Sequence, residues 1–256
     1  EKSPDFRLSK RMKLMPHGVI SALLCALLYA MCPLFSYNFL FEPTKWIHIA
    51  VIVLSAPVIM IVMMADRLNR IIPDQMSFFL FVMGLLSLAG DYVEGSIWIS
   101  ADAKWYVPLL NRVIGAAVGF LFLFLLGLIT ITFFGKEGMG QGDMKLLAAC
   151  GFLSGAYGLV VVLYVSVLTA FLFALPLFIK KRIRIHNEEK QIRESKDPIA
   201  ERARLQRERA KIHFADDPDY LAFGPFIALA AGVFLVMEPL FHSQLFLYIE
   251  YLGLNF

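Results

Sequence analysis

Residues 144–179 read MKLLAACGFLSGAYGLVVVLYVSVLTAFLFALPLFI, a run in which Lys145 carries the only charge. About 20 helical residues cross the hydrocarbon core of a bilayer, so this run is too long for one crossing. It predicts two short membrane spans joined by a hinge near Gly155 and Gly158. The whole chain of 256 residues is 59% hydrophobic and only 18% charged, whereas soluble domains are about 25% charged. This composition predicts a membrane protein.

Other apolar segments flank this run, and each predicts one span: 18–41, 46–64, 76–90, 113–134 and 220–237. The tail at 238–256 is short and predicts either a weak eighth span or an interfacial helix. A transmembrane β-barrel would instead need alternating segments of about ten residues, which the sequence does not show. The predicted fold class is therefore all-α, a polytopic membrane protein with seven or eight membrane segments.

The orientation follows from the basic segments, because loops rich in Lys and Arg stay in the cytoplasm. Such residues lie before the first span, in the bridge that contains Arg67 and Arg70, and throughout 180–219. Counting crossings from a cytoplasmic N-terminus places Asp66 inside. It also places Asp143 inside, and the 180–219 region inside if 144–179 crosses twice. The two aspartates are thus expected at the same membrane face.

The 180–219 region holds half of the 24 basic residues, together with many acids. Within it, DPIAERARLQRERAKI predicts a helix with Asp197 as its N-cap and Pro198 in its first turn. The simplest interpretation is a solvated cytoplasmic region that also sets topology. The alternative is a site for anionic lipid or a partner protein. Nothing resembles a nucleic-acid-binding module.

Asp66 and Asp143 are the candidate catalytic residues. An acid near membrane depth is a functional candidate, although an acid at the end of a span is often only a solvated boundary residue. Two carboxylates that meet can share one proton. The ionised one can then take a proton from water while the protonated one polarises a peptide carbonyl. The five histidines show no ligand spacing and the three cysteines form no CxxC pair, so we predict no metal and no cofactor.

The segment before Asp143, GMGQGD at 138–143, suits such a site. Gly140 and Gly142 allow the backbone to turn and another backbone to come close. A helix that begins near Asp143 favours a carboxylate at its N-terminus, and Lys145 can balance the local charge. The alternative interpretation is an ordinary glycine-rich turn between two spans.

Three segments together resemble the type IV prepilin peptidases, membrane aspartyl proteases of the GxGD class: DRLNRIIPDQMS at 66–77, GMGQGDMKLLAACG at 138–151 and FGPFIALAAG at 223–232. The resemblance implies a core of six membrane helices with Asp66 and Asp143 as the catalytic pair. Pro73 and Asp74 correspond to a Pro-Asp turn, with Asp74 as a second, non-catalytic acid. The implied substrates are prepilins or pseudopilins of type IV pilus or type II secretion systems. The implied location is the bacterial inner membrane, with cleavage at its cytoplasmic face.

The chain also departs from the family pattern. Larger members carry two CxxC pairs in an N-terminal domain associated with methylation, and their absence predicts no methyltransferase activity here. We expect three regions: a cytoplasmic N-terminus with an extra span at 1–45, the peptidase core at 46–237 with its charged insertion at 180–219, and a C-terminal hydrophobic segment at 238–256. The alternative function is a non-catalytic membrane scaffold, or a transporter, built on the same fold.

Overall fold

The computed structural model describes residues 18–35, 45–100, 102–134, 140–195, 197–210 and 221–251. Within these ranges the chain forms seven helices and no strand. The helices are α1 Val19–Phe35, α2 Trp46–Asn69, α3 Asp74–Val93, α4 Val107–Phe134, α5 Gln141–Glu194, α6 Pro198–Ala210 and α7 Gly224–Tyr251. Five of them, α2 to α5 and α7, are long and apolar enough to cross a membrane. The predicted all-α, multi-pass membrane fold is confirmed.

Helix α2 runs five residues beyond the predicted end of its span at residue 64, because the Arg and Leu of the following polar stretch favour a helix. It ends where Arg70 adopts a left-handed conformation (φ 55°) and donates its N–H to the Asp66 carbonyl oxygen at 2.8 Å, a common helix terminus. Asp66 therefore lies in the last helical turn. Pro73, with φ −65°, then precedes α3, which begins at Asp74.

Helix α5 has 54 residues, which would make a straight helix about 81 Å long, far more than a bilayer needs. It is broken at Gly155, whose φ of 73° and ψ of 176° lie outside the helical region. The predicted hinge near Gly155 is confirmed, and it separates the helical segments 141–154 and 156–194. At Gly158, the other predicted hinge position, the backbone packs against the Phe234 ring. That the two segments cross the membrane separately remains a prediction.

The core gathers apolar side chains from several helices. Helix α2 packs against α1, α3 and α7, and the buried Ile59 of α2 and Leu28 of α1 both lie near Gly232 of α7. Helix α4 meets the first segment of α5 at Gly115 and Gly151, whose backbones come so close that a side chain on either would collide with the other's carbonyl group. Such small-residue contacts are typical of membrane helices.

The chain divides into two units, Glu1–Ser166 with Phe223–Phe256, and Val167–Ala222. In the second unit, Asp197 caps α6 as predicted, because its Oδ1 accepts the N–H groups of Ile199 and Ala200 at 3.1 Å. Residues 211–220 of the charged insertion lie outside the described residues.

In the first unit, α7 is kinked at Met237 and contains Pro239, as expected for a proline inside a helix. The kink coincides with the predicted end of the seventh span, but the tail continues as helix to Tyr251.

Candidate active site

The two predicted catalytic residues lie at opposite ends of their helices. Asp66 belongs to the last turn of α2 and Asp143 to the first turn of α5. Both are buried, with 5% and 8% of their surfaces exposed. Aspartate is among the residues that proteins bury least often without a partner. Neither residue is therefore the solvated boundary acid of the alternative interpretation.

The two carboxylates meet at Gly224, the first residue of α7. A methyl carbon on Gly224 would collide with Asp66 Oδ2 and lie 3.1 Å from Asp143 Oδ1. The backbone N–H of Gly224 also lies near both carboxyl groups. Three helix ends therefore converge at one point, and only a residue without a side chain fits between the acids.

The oxygens that face this point have unused hydrogen-bonding capacity. In the part of the chain that the structure describes, neither Asp66 Oδ2 nor Asp143 Oδ1 has a hydrogen-bond partner of good geometry, although both atoms are buried. Buried polar atoms without partners are rare and costly in proteins, and a catalytic role is one of the explanations. Both oxygens can therefore still accept hydrogen bonds, for example from a water molecule.

The glycines of the predicted motif allow close packing beside Asp143. A side chain on Gly140 would begin 3.4 Å from Asp143 Oδ2, and one on Gly142 would begin 3.2 Å from Cβ of Ile72. Gly142 therefore brings the start of α5 against the 71–73 segment that follows α2. Gly138 lies outside the described residues.

Lys145 pairs with Asp74 rather than with the buried acids. Its Nζ lies 2.9 Å and 3.0 Å from the two carboxylate oxygens of Asp74. The side chains are 51% and 70% exposed, so water screens this pair. It joins the start of α3 to the first turn of α5 beside the site. The exposed Asp74 and the buried acids thus occupy different environments.

Two neighbours of the acids were not predicted as site residues. Gly224 falls in the FGPF segment that contributed to the family resemblance, and this segment was the available signal. Ile72 is an apolar residue that belongs to no catalytic motif, and its contact with Gly142 cannot be read from the sequence. The convergence of three helix ends is a tertiary feature that one sequence does not reveal.

Comparison with known proteins gives an independent result. Residues 52–175 match the type IV leader peptidase family. The chain is 38% identical over 128 residues to a prepilin leader peptidase/N-methyltransferase of Aeromonas salmonicida, which covers 50% of this chain and 38% of that protein. Proteins of the same name from Xanthomonas campestris pv. campestris and Neisseria gonorrhoeae are 35% and 32% identical, over 46% and 54% of this chain and 37% and 43% of their own lengths. No solved structure matches the chain.

The match has limits along both chains. The region matched to the family contains Asp66 and Asp143 but ends before the segment FGPFIALAAG at 223–232. The resemblance of that segment to the family remains a prediction. The chain spans about two fifths of the length of these relatives. The resemblance indicated by the motifs is nevertheless confirmed for the core: residues 52–175 of this membrane protein match the type IV leader peptidase family.

Proposed function

We propose that the chain is a membrane aspartic endopeptidase that removes the leader peptide of prepilin or pseudopilin-like substrates. The observation that carries the proposal is the convergence of Asp66 and Asp143 on Gly224. The names of the relatives, prepilin leader peptidase/N-methyltransferase, support the class of substrate. The methyltransferase half of that name is not part of the proposal.

The two acids act as one catalytic unit. One carboxylate accepts a proton from water, and the resulting hydroxide attacks the carbonyl carbon of the scissile bond. The other, protonated, acid donates a hydrogen bond to the carbonyl oxygen and stabilises its developing charge. The tetrahedral intermediate then collapses, and the leaving nitrogen receives a proton from the pair. Because the two carboxyl groups titrate together, base and acid are assigned to the pair and not to single residues.

The position of the pair at helix ends suits a substrate that is itself a membrane helix. The apolar part of the substrate would remain in the bilayer while its basic leader extends into the cytoplasm. The basic residues Arg67 and Arg70 next to Asp66 favour a cytoplasmic location for this end of the bundle. We therefore place cleavage at the cytoplasmic face of the bacterial inner membrane, with the N-terminus of the chain on that side.

Co-expression tests the proposal. The chain is produced in membranes together with a prepilin-like substrate, and loss of the leader is read as a mobility shift on a denaturing gel. We expect complete or nearly complete conversion with the wild-type chain and none with Asp66→Asn. If wild type, folded in the membrane, leaves several pilin and pseudopilin substrates uncleaved, the non-catalytic scaffold or transporter becomes the better account.

A further inference from the structure

Helix α4 fixes the far end of the helical segment that carries Asp143. This segment, 141–154, ends at the break at Gly155. There, Arg112 Nη1 of α4 donates hydrogen bonds to the carbonyl oxygens of Phe152 at 3.1 Å and Leu153 at 2.6 Å. The neighbouring Asn111 Oδ1 accepts the N–H of Ala156 at 3.0 Å.

These contacts replace the hydrogen bonds that the break removes. In an unbroken helix, the carbonyl of Phe152 would accept the N–H of Ala156, one turn later. A helix end that lies inside a protein needs other partners for its free carbonyl and N–H groups. Arg112 supplies donors to the carbonyls, and Asn111 takes up the freed N–H. Hydrogen bonds from a charged guanidinium are stronger than those between neutral groups.

Arg112 is itself held in place. It is buried, with 5% of its surface exposed. Its Nε lies 2.9 Å and its Nη2 2.5 Å from Asp91 Oδ2, and Nη2 also donates to Ser87 Oγ at 2.8 Å. A buried charge with such partners has one favourable orientation. Helix α3, which carries Asp91 and Ser87, is thereby joined to the end of the Asp143 segment.

Helix α4 also contacts this segment at two glycines. Gly115 packs on the Gly151 backbone, and Gly119 packs on Leu147. Backbone contacts at glycine permit close approach, but unlike hydrogen bonds they are not directional. The directional hydrogen bonds of Arg112 and Asn111 can fix the axial position. A helix rises 1.5 Å per residue, so these bonds lie about 15 Å from Asp143 along the helix axis. The helical segment between them can transmit a shift at one end to the other.

We propose that Arg112, assisted by Asn111, is a positioning residue that sets the axial location of Asp143 opposite Asp66. Its catalytic consequence depends on the function proposed above, but its effect on position does not. A displaced Asp143 would leave the substrate site formed and the two acids misaligned. Misplacement by about 1 Å can lower a catalytic rate about a hundredfold.

Disulfide formation can measure the position without activity. A Cβ on Gly142 would lie 3.2 Å from the Ile72 Cβ, close to the separation of about 3.5–4.5 Å found in disulfides. The pair Ile72→Cys/Gly142→Cys is therefore made in a background in which Cys25, Cys32 and Cys150 are alanine. The rate of oxidative cross-linking of this pair in membranes reports whether the segment 141–154 keeps its axial position relative to Ile72.

We expect Arg112→Met to slow this cross-linking at least about fivefold, with Arg112→Lys intermediate, because the strict separation requirement of a disulfide makes the rate sensitive to displacement. The matched control is Glu238→Gln. Glu238 accepts a hydrogen bond from Trp98 Nε1 at 2.7 Å and lines the same small cavity as Arg112, and this bond does not involve the segment 141–154. Its variant should cross-link at the wild-type rate. Equal rates for Arg112→Met and wild type would overturn the inference.

Asn111→Ala keeps the test decisive if Arg112→Met fails to fold. It removes the acceptor of the Ala156 N–H and leaves Arg112 in place, so we expect a smaller but measurable slowing; an unchanged rate would also contradict the inference. In a native-cysteine background, the same Arg112 and Asn111 variants should lower kcat for leader cleavage with little change in KM. Failure of wild type to cleave would refute the proposed function and leave the cross-linking result standing.

Discussion

An oxygen of Asp66 and an oxygen of Asp143 converge within 3.1 Å of one point, the position at which a side chain on residue 224 would begin. The first acid lies in the last turn of one helix and the second in the first turn of another. Their meeting therefore depends on the packing of three helices, since α7 supplies Gly224. In the proposed mechanism, this convergence lets two acids that are distant in sequence act on one bond.

Gly224→Ala should abolish leader cleavage and leave the protein folded. The added methyl group would collide with Asp66 and push the two carboxylates apart, and misaligned catalytic groups lose about a hundredfold or more in rate. Gly232→Ala on the same helix is the matched control, because its methyl would make an ordinary contact at 3.5 Å with Ile59 and Leu28. Rates of leader cleavage by purified variants decide the matter, and comparable activity of the two variants would contradict the geometry.

Asp74→Asn should keep most of the activity. The substitution removes only the ion pair with Lys145, whose partners are 70% and 51% exposed, and exposed pairs contribute about 1 kcal/mol or less. Lys145→Met should behave similarly. The check is the cleavage rate of each variant beside that of Asp143→Asn. Complete inactivation by Asp74→Asn alone would transfer the first catalytic role to Asp74.

The rate of cleavage should pass through a maximum as pH changes. At low pH both acids of the pair are protonated and no base remains, whereas at high pH both are ionised and no acid remains. Initial rates of the purified protein in lipid nanodiscs, measured across the pH range in which it stays folded, give the profile. A rate that rises to a plateau and does not fall again would show that a protonated acid is not required.

Gly115→Leu should destabilise the helix bundle strongly. At Gly115 any side chain would collide with the backbone of Gly151, and over-packing of this kind costs about 1–3 kcal/mol or more. Ala117→Leu is the control, because Ala117 lies on an exposed face of the same helix. Thermal unfolding in detergent should show a marked loss only for the first variant. Equal melting temperatures would contradict the close crossing of α4 and α5.

Sequence patterns predicted the membrane class, most span positions and the hinge near Gly155. These features follow from local properties: apolar length, glycine and cap residues. Counting the predicted membrane crossings also predicted that Asp66 and Asp143 lie on the same side of the membrane. What the pattern did not predict was that both acids are buried, or that Gly224 lies between them, because these facts depend on how three helix ends pack.

The role of Arg112 illustrates the same limit. In the sequence it is one basic residue just before the predicted span at 113–134, and no motif includes it. The structure instead places it among Asp91, Ser87 and the broken end of α5. Its partners come from two other helices, so no local pattern identifies them.

The central claim is that Asp66 and Asp143 form one catalytic unit. Its most direct test is the rate of leader cleavage by purified wild type, Asp66→Asn, Asp143→Asn and the double variant, each confirmed as folded in lipid. We predict that either single substitution lowers kcat at least about a thousandfold and that the double substitution lowers it little further, because residues that act as a unit are not additive. Near wild-type cleavage by either single variant would contradict the account.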